Sequence, residues 1–228
     1  MLYAVGDIHG ESGKLEDLLG RLPLRPGDRF VFLGDYVDRG PDSRGVVDRL
    51  LELERHHPCT FLLGNHESMF LDFLGFPGPA CFAGAAFLAN GGARTLASYG
   101  YFDLPEVAPD RLELPPEHLE FYRRLVLYHL EGDYLFVHAG LGRALRQGGG
   151  DLGLTLRRAT PEDLLWDRLT GDLPHSLGVT IVYGHTPRPD FAVRFNLPFS
   201  IGIDTGAVYG GPLTAIRLPD ETVFQSAP

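Results

Sequence analysis

Residues able to bind metal ions follow short apolar runs at five points in the chain. At four of these points the order is an apolar run, a glycine and then the polar residue, and at the fifth the glycine is missing. Short apolar runs closed by glycine favour buried strands over helices. The polar residues are Asp7, Asp35, Asn65, His138 and His185. Oxygen and nitrogen ligands at so many strand ends predict a metal site.

Charged residues concentrate in the stretch 31–40, where an apolar run is followed by Asp35, Asp38 and Arg39. Three charges beside a buried strand need a partner, because an unpaired buried charge is strongly destabilising. A metal ion is a suitable partner. Asp7 and His9 support the same interpretation, since residues two apart in an extended segment point to one side and can bind one ion together.

The elements around these residues predict an α/β fold. Strands at 2–6, 29–33 and 59–63 are each followed by a polar residue and then by a helical pattern. Such units favour parallel pairing, which brings the polar residues to one edge of a sheet. The last third of the chain has five further strand-like runs, at 179–184, 191–195, 199–203, 213–218 and 222–225. Their spacing by proline and glycine is typical of a second, mainly antiparallel sheet.

The length and composition predict one soluble domain that spans 1–228. Hydrophobic residues make up 44% and charged residues 22%, as in ordinary globular proteins. The segment 75–114 is rich in proline and glycine, and we interpret it as a cap or lip over the site. The formal charge of −10 argues against a nucleic acid partner, because nucleic acid binding usually needs a basic face.

Three further features limit the cellular context. The apolar stretch 81–89 is far shorter than the roughly 20 residues of a membrane span, so no membrane partner is expected. The chain runs directly into a strand without a leader pattern, which predicts a cytoplasmic location. Cys59 and Cys81 have no metal-binding spacing and are expected to be buried free thiols. We expect a monomer.

Five motifs together resemble the phosphoprotein phosphatase family of dinuclear metallophosphoesterases, and in particular its bacterial and phage-type serine/threonine phosphatases. They are Gly-Asp-Ile-His-Gly at 6–10, Gly-Asp-Tyr-Val-Asp-Arg-Gly at 34–40, Gly-Asn-His-Glu at 64–67, His-Ala-Gly at 138–140 and Gly-His-Thr at 184–186. They occur in the family's order over most of the chain. The resemblance implies the calcineurin-like fold, in which two mixed β-sheets form a sandwich flanked by helices.

The resemblance also implies a set of metal ligands for two divalent ions. Asp7, His9 and Asp35 would bind the first ion. The second would be bound by Asp35, Asn65, His138 and His185. Two cations about 3.5–4 Å apart need a bridging carboxylate, which matches this inventory of residues. No thiolate is offered, so Mn²⁺ is expected, with Fe or Zn²⁺ as alternatives.

The resemblance assigns further residues to substrate binding and proton transfer. Arg39 and Arg168 would bind the phosphoryl oxygens, and Asn65 would add a contact. The alternative for Arg168 is a solvated arginine near a helix end. His66 would protonate the leaving alkoxide while Asp38 orients its ring. Tyr209 is a candidate substrate contact, with a packing role as the alternative.

The function implied is hydrolysis of phosphomonoesters by direct attack of a metal-bridging hydroxide, with no side-chain nucleophile. The expected substrates are phosphoserine and phosphothreonine in proteins, or small phosphomonoesters. One alternative is a symmetric diadenosine tetraphosphate hydrolase built on the same metal centre. The presence of a carboxylate at Asp38 favours the monoesterase over this alternative. A second alternative, from another class, is an inactive scaffold. Scaffolds of this kind lose ligands or the acid histidine, and this chain retains all of them.

Overall fold

The computed structural model describes residues 1–76, 78–102 and 112–228, within which ten strands form two five-stranded β-sheets. The strands are β1 (Leu2–Val5), β2 (Arg29–Phe32), β3 (Cys59–Phe61), β4 (Tyr128–Glu131), β5 (Tyr134–Val137), β6 (Thr180–Tyr183), β7 (Arg194–Asn196), β8 (Ser200–Gly202), β9 (Thr214–Leu218) and β10 (Thr222–Gln225). The α-helices of the described residues are α1 (Ser12–Arg21), α2 (Ser43–Glu54), α3 (Asn65–Phe73), α4 (Gly92–Ser98), α5 (Pro116–Arg123), α6 (Gly142–Gly148), α7 (Leu152–Arg158) and α8 (Pro161–Trp166). Short 3₁₀ turns lie at Gly84–Ala86, Leu88–Asn90, Thr170–Asp172 and Ala207–Tyr209.

Both sheets are mixed. The first has the order β10-β9-β1-β2-β3, in which β1, β2 and β3 are parallel and β9 and β10 are antiparallel. The second has the order β4-β5-β6-β8-β7, in which β5, β6 and β8 are parallel and the two edge strands are antiparallel. This arrangement confirms the predicted α/β fold with two mixed sheets.

The prediction that the last third of the chain forms a mainly antiparallel second sheet is wrong. Strands β9 and β10 join the first sheet beside β1, and β6 and β8 pair in parallel within the second. Strand β4 was also missed; it pairs with β5 across a tight turn. An apolar run identifies a strand, whereas its partner and direction depend on contacts between residues far apart in sequence.

Three apolar clusters hold the layers together. Alternate residues of each strand point to opposite faces, so the inner faces of both sheets share one cluster that includes Ala4, Val31, Phe136 and Val182. The outer face of the first sheet packs on α1, α2, α3 and α5. The outer face of the second packs on α6, α7 and α8. The molecule is therefore a β-sandwich with helices on both outer sides.

The described part of the segment 75–114 contacts the strand ends. Helix α4 buries Thr95, whose hydroxyl donates to Oδ1 of Asp38 at 2.5 Å. The carbonyl of Gly91 accepts the backbone N–H of Arg39 at 3.3 Å. The remainder of the expected lip, Pro77 and 103–111, lies outside the described residues. That the chain forms one domain, with the segment 75–114 as a lip over the site, stays a prediction.

Two smaller expectations concern the cysteines and the membrane. Cys59 and Cys81 are free thiols as expected, but both are only partly buried, because each lies at the margin of the first cluster rather than inside it. Among the residues that the structure describes, no helix is long and apolar enough to cross a membrane.

Substitution of Gly34 by alanine should disrupt the turn after β2. Gly34 has a φ of 99°, and an added Cβ would lie 2.7 Å from the backbone N of Gly64 and 2.8 Å from its Cα. We expect Gly34→Ala to lower the free energy of unfolding by about 2–4 kcal/mol in a urea titration. Gly20→Ala is the matched control. Gly20 lies in α1 with open space around it, so alanine there should raise the same quantity by about 0.5–1 kcal/mol. Equal stability of the Gly34→Ala variant and the parent protein would contradict the close approach.

Candidate active site

The predicted ligands lie at the carboxyl ends of parallel strands from both sheets. Strands β1, β2 and β3 end just before Asp7, Asp35 and Asn65 respectively. In the second sheet, β5 ends directly before His138, and β6 ends two residues before His185. Each of these five side chains belongs to a residue that is no more than 7% exposed. The sandwich therefore brings residues from distant parts of the sequence to one buried edge.

Two groups of side chains could each hold a metal ion. The first consists of His9, Asp35 and His66, and the second of Asp35, His138 and His185. Within each group the nitrogen and oxygen atoms lie within 4.8 Å of one another, and Asp35 belongs to both groups. Because one carboxylate offers an oxygen to either side, the arrangement suits two neighbouring cations.

Asp7 belongs to neither of these two groups, so its role as a ligand of the first ion stays a prediction. Its carboxylate accepts the backbone N–H of His185, with distances of 3.1 Å to Oδ1 and 3.0 Å to Oδ2. Asp7 therefore links the end of β1 to the end of β6. The first group contains His66, which the sequence assigned to proton transfer rather than to metal binding.

Hydrogen bonds fix how two of the histidines face Asp35. Nδ1 of His9 donates to the carbonyl of Val37 at 2.8 Å, and Nδ1 of His138 donates to the carbonyl of Leu33 at 2.8 Å. Burial lowers the pKa of His9 to about 3 and also lowers the pKa of His138, so both rings are neutral. Each Nε2 consequently presents a lone pair, 3.4 Å from an oxygen of Asp35. A carbonyl behind the ring is a usual environment for a metal-binding histidine.

Asn65 lies next to the second group, beside His138 and His185. Oδ1 of Asn65 lies 3.0 Å from Nε2 of His138 and 3.1 Å from Nδ1 of His185. Burial lowers the pKa of His185 to about 2, so this ring is neutral as well. Its Nε2 is buried and has no hydrogen-bond partner among the described residues. A buried unpaired nitrogen is destabilising, and a cation would offset that loss. The residues present therefore fit a metal ion with nitrogen and oxygen ligands.

The backbone at this site is strained. Five site residues other than glycine have left-handed φ angles: His9 (48°), Asp35 (53°), Asp38 (72°), Arg39 (69°) and His185 (66°). Such angles are unfavourable for residues with a Cβ and persist only where the surroundings enforce them. They commonly accompany functional sites.

Glu67 supplies part of that enforcement and was not assigned a role from the sequence. This fully buried carboxylate accepts the backbone N–H groups of Asp35, Tyr36, Val37 and Gly64 at 2.8, 2.7, 3.1 and 3.1 Å. It therefore ties the turn after β2 to the start of α3. The signal in the sequence was a charged residue inside the Gly-Asn-His-Glu motif, two positions before the apolar run that begins at Met69.

His66 and Asp38 form a buried pair. Nδ1 of His66 lies 2.6 Å from Oδ2 of Asp38, and both residues are at most 1% exposed. Thr95 holds the other oxygen of Asp38, and Ser43 accepts the Asp38 backbone N–H at 3.2 Å. The ring of His66 lies edge-on to that of His9, with centroids 4.7 Å apart. The structure thus brings the expected acid and its orienting carboxylate together, with His66 itself a member of the first group.

The predicted substrate-binding residues surround the two groups. Nη1 of Arg39 donates to Nε2 of His9 at 2.7 Å, and its guanidinium lies 5.7 Å from the ring centroid of Tyr209. Tyr209 is 53% exposed, which is unlike a core packing residue. Arg168 is exposed and lines a cavity together with Asp204 and Thr186. Arg39 lies in the turn between β2 and α2, whereas Arg168 lies just after α8.

Asp204 is a second residue that the sequence reasoning missed. It follows β8, is 8% exposed, and its Oδ1 accepts the backbone N–H of Gly206 at 3.0 Å. Burial raises the pKa of Asp204 to about 7. The signal was available, because Asp204 follows an apolar run as Asp7 and Asp35 do.

Comparison with known families agrees with this geometry. Residues 2–212 match the sequence profile of the family described as calcineurin-like phosphoesterase. The chain belongs to this family. The resemblance to dinuclear metallophosphoesterases is therefore confirmed, and the two groups that share Asp35 are consistent with the family's dinuclear divalent metal centre. Hydrolysis of phosphoesters is the activity of this family.

The similar curated proteins carry a name that differs from the first expectation. The chain is 32% identical over 249 residues to the asymmetrical bis(5'-nucleosyl)-tetraphosphatase PrpE of Bacillus anthracis strain CDC 684 / NRRL 3495, covering 96% of this chain and 91% of that protein. It is 30% identical over 246 residues to the protein of the same name from Geobacillus thermodenitrificans, covering 96% and 90%. Both proteins are named for a dinucleotide substrate, as in the first alternative above, but for asymmetrical instead of symmetric cleavage.

Similar solved structures support the fold. One is the crystal structure of a protein provisionally named a diadenosine tetraphosphatase, with a TM-score of 0.66, 22% identity, and coverage of 98% of this chain and 91% of that one. Another is a protein serine/threonine phosphatase from Saccharomyces cerevisiae, with a TM-score of 0.61, 17% identity, and coverage of 100% and 79%. The same sandwich therefore occurs in proteins named for different substrates, so the fold alone does not choose among them.

Proposed function

We propose that this phosphoesterase is a metal-dependent hydrolase that cleaves dinucleoside tetraphosphates asymmetrically, giving a nucleoside triphosphate and a nucleoside monophosphate. The main support for a metal-dependent hydrolase is that two buried groups of nitrogen and oxygen ligands share Asp35. The substrate is supported by relatives at 30–32% identity over almost the whole chain. The proposal replaces the protein phosphatase that we expected first, and it differs from the symmetric alternative in the bond cleaved.

The ligand assignment follows the two groups. His9 and Asp35 would bind one ion, with Asp7 and His66 next to them. The other ion would be bound by Asp35, Asn65, His138 and His185. Bound divalent ions, for which we propose Mn²⁺, would lower the pKa of a water molecule and polarise the phosphoryl group. The buried, neutral histidines suit this task because they keep their lone pairs available.

The other side chains would act on the substrate itself. Arg39 and Arg168 would donate to the phosphoryl oxygens and hold phosphorus in place for in-line attack. Asp38 would keep Nδ1 of His66 protonated, so that the ring presents Nε2 to the leaving group. Tyr209 would cover Arg39 from the solvent side.

A second candidate function, hydrolysis of phosphomonoesters, is favoured by the buried contact of His66 with Asp38. An alkoxide leaving group is strongly basic and needs a proton from an acid of this kind. Cleavage of a phosphoanhydride releases a phosphate oxygen, which is weakly basic and needs the proton much less. The pair would therefore contribute more to a monoesterase than to a dinucleotide hydrolase.

Product analysis tests the proposal. Metal-free protein is incubated with and without Mn²⁺ in an equimolar mixture of diadenosine tetraphosphate and a phosphothreonine peptide. We expect Mn²⁺-dependent release of ATP and AMP in equal amounts, with little free phosphate. An Asp35→Asn protein purified in the same way shows whether a contaminating enzyme is responsible.

Other products would support other functions. ADP as the main nucleotide would support symmetric cleavage, and free phosphate from the peptide would support the protein phosphatase. Absence of any product in the presence of metal would contradict the proposal and favour the inactive scaffold.

A further inference from the structure

A narrow cavity lies beside the second group of candidate metal ligands. Its volume is about 40 Å³, and its wall includes Ala139 and Thr186, which directly follow His138 and His185. Asp204 lines the same cavity. The space is sufficient for a small polar group, because one water molecule needs roughly 10–15 Å³ on the same measure.

The narrow cavity adjoins a wider one of about 390 Å³. Both share four lining residues, namely Gly171, Arg188, Ala192 and Arg194. The wider cavity falls within the range of roughly 300–1,000 Å³ that is usual for small-molecule sites. The two cavities are therefore neighbours, and the narrower one lies nearer to the candidate metal ligands.

Three arginines line these spaces, although the protein has a formal charge of −10. They are Arg168, Arg188 and Arg194, and we call the two adjoining spaces the arginine cavity. Guanidinium groups bind phosphate oxygens through paired hydrogen bonds. A row of arginines leading away from a phosphoesterase centre suits a ligand with several phosphates in sequence.

The carboxylates of the cavity already have donors. Asp167 accepts the backbone N–H groups of Gly142 and Thr170 at 3.0 and 2.9 Å. Asp190 accepts from Nε of Arg188 at 3.1 Å and from the backbone N–H of Ala192 at 3.2 Å. Arg188 is therefore shared with one exposed carboxylate, whose removal would free its charge for a ligand.

We propose that the arginine cavity binds the triphosphate arm of the substrate, beyond the phosphorus that is attacked. This inference rests on the proposed asymmetrical cleavage, in which three phosphates lie on one side of the broken bond. Arginines along that arm would place the attacked phosphorus, which belongs to the nucleoside monophosphate portion, at the metal centre. The chain would then prefer polyphosphates to single phosphate groups.

The probes are inorganic tripolyphosphate and orthophosphate, measured by titration calorimetry on the Mn²⁺-loaded protein with free Mn²⁺ kept in excess of either ligand. We expect tripolyphosphate to bind at least 10-fold more tightly than orthophosphate. Arg188→Gln should weaken tripolyphosphate binding about 10-fold and orthophosphate binding less than twofold. Asp190→Asn should strengthen tripolyphosphate binding, because it frees Arg188.

Arg55→Gln is the matched control. Arg55 is also an exposed arginine paired with a nearby carboxylate, Glu52 at 2.8 Å, and it does not line the cavity. It should change neither affinity. Equal affinity of the parent protein for both probes, or equal effects of Arg188→Gln and Arg55→Gln, would overturn the inference. Failure of the proposed function would be seen in the separate product analysis, where no ATP and AMP would be released from diadenosine tetraphosphate.

Discussion

Replacement of Asp35 by asparagine should leave fewer than two metal ions per chain and lower the turnover of every phosphoester about 10³-fold or more. Asp35 is the residue that both ligand groups share. Metal ions contribute several kcal/mol of transition-state stabilisation, and about 4 kcal/mol corresponds to 10³-fold in rate. Metal content by mass spectrometry and turnover of 4-nitrophenyl phosphate measure the two effects.

Asparagine is the appropriate replacement at this position. It tolerates the left-handed φ of 53° better than alanine, and the bond from the Asp35 backbone N–H to Glu67 does not involve the side chain. The fold should therefore persist, which a urea titration checks. Asp133→Asn is the control, because Asp133 is exposed and precedes β5 at the end opposite to His138. Two bound metals and full turnover in Asp35→Asn would refute the shared-ligand assignment.

Replacement of His66 by alanine should separate substrates by leaving group. We expect hydrolysis of an alkyl phosphate to slow by about 10²–10⁴-fold. Hydrolysis of 4-nitrophenyl phosphate and of diadenosine tetraphosphate should slow far less, because their leaving groups are weakly basic. The reason is the buried contact of 2.6 Å that orients His66 on Asp38. Values of kcat for the three substrates provide the measurement.

His118→Ala is a matched control for that experiment. His118 is equally buried and makes the same kind of contact, with Nε2 2.9 Å from a carboxylate oxygen of Asp48. It lies in α5 and belongs to neither ligand group. Its loss should lower stability without changing the ratios among substrates. Uniform losses in His66→Ala, accompanied by loss of metal, would identify His66 as a ligand of the first ion instead of an acid.

The identity of the strand-end residues could be predicted from local pattern. An apolar run, a closing glycine and a polar residue are all neighbours in sequence. A polar residue at a strand end can therefore be predicted without tertiary information. Asp35, Asn65, His138 and His185 were found in this way, and so was the α/β class. Asp204 follows a similar run and was within reach of the same rule.

Other features depended on contacts between distant parts of the chain. The role of Glu67 depends on hydrogen bonds from backbone N–H groups more than 25 positions away. Thr95 reaches Asp38 from a segment whose sequence indicated only irregular structure. The hydrogen bond from the backbone N–H of His185 to Asp7 follows from the placement of β1 relative to β6, which no local pattern encodes.

By itself, the sequence determined that residues able to bind metal follow five apolar runs, and it supplied Arg39 and Arg168 as candidate phosphate ligands. The tertiary structure decided how the strands are shared between two sheets, which ligands meet at Asp35, and that Arg168, Arg188 and Arg194 line one cavity. The physical reason is that residue type and short-range periodicity act within a few positions. Distances between ligands depend instead on strand order and on the packing of two sheets, to which the whole chain contributes.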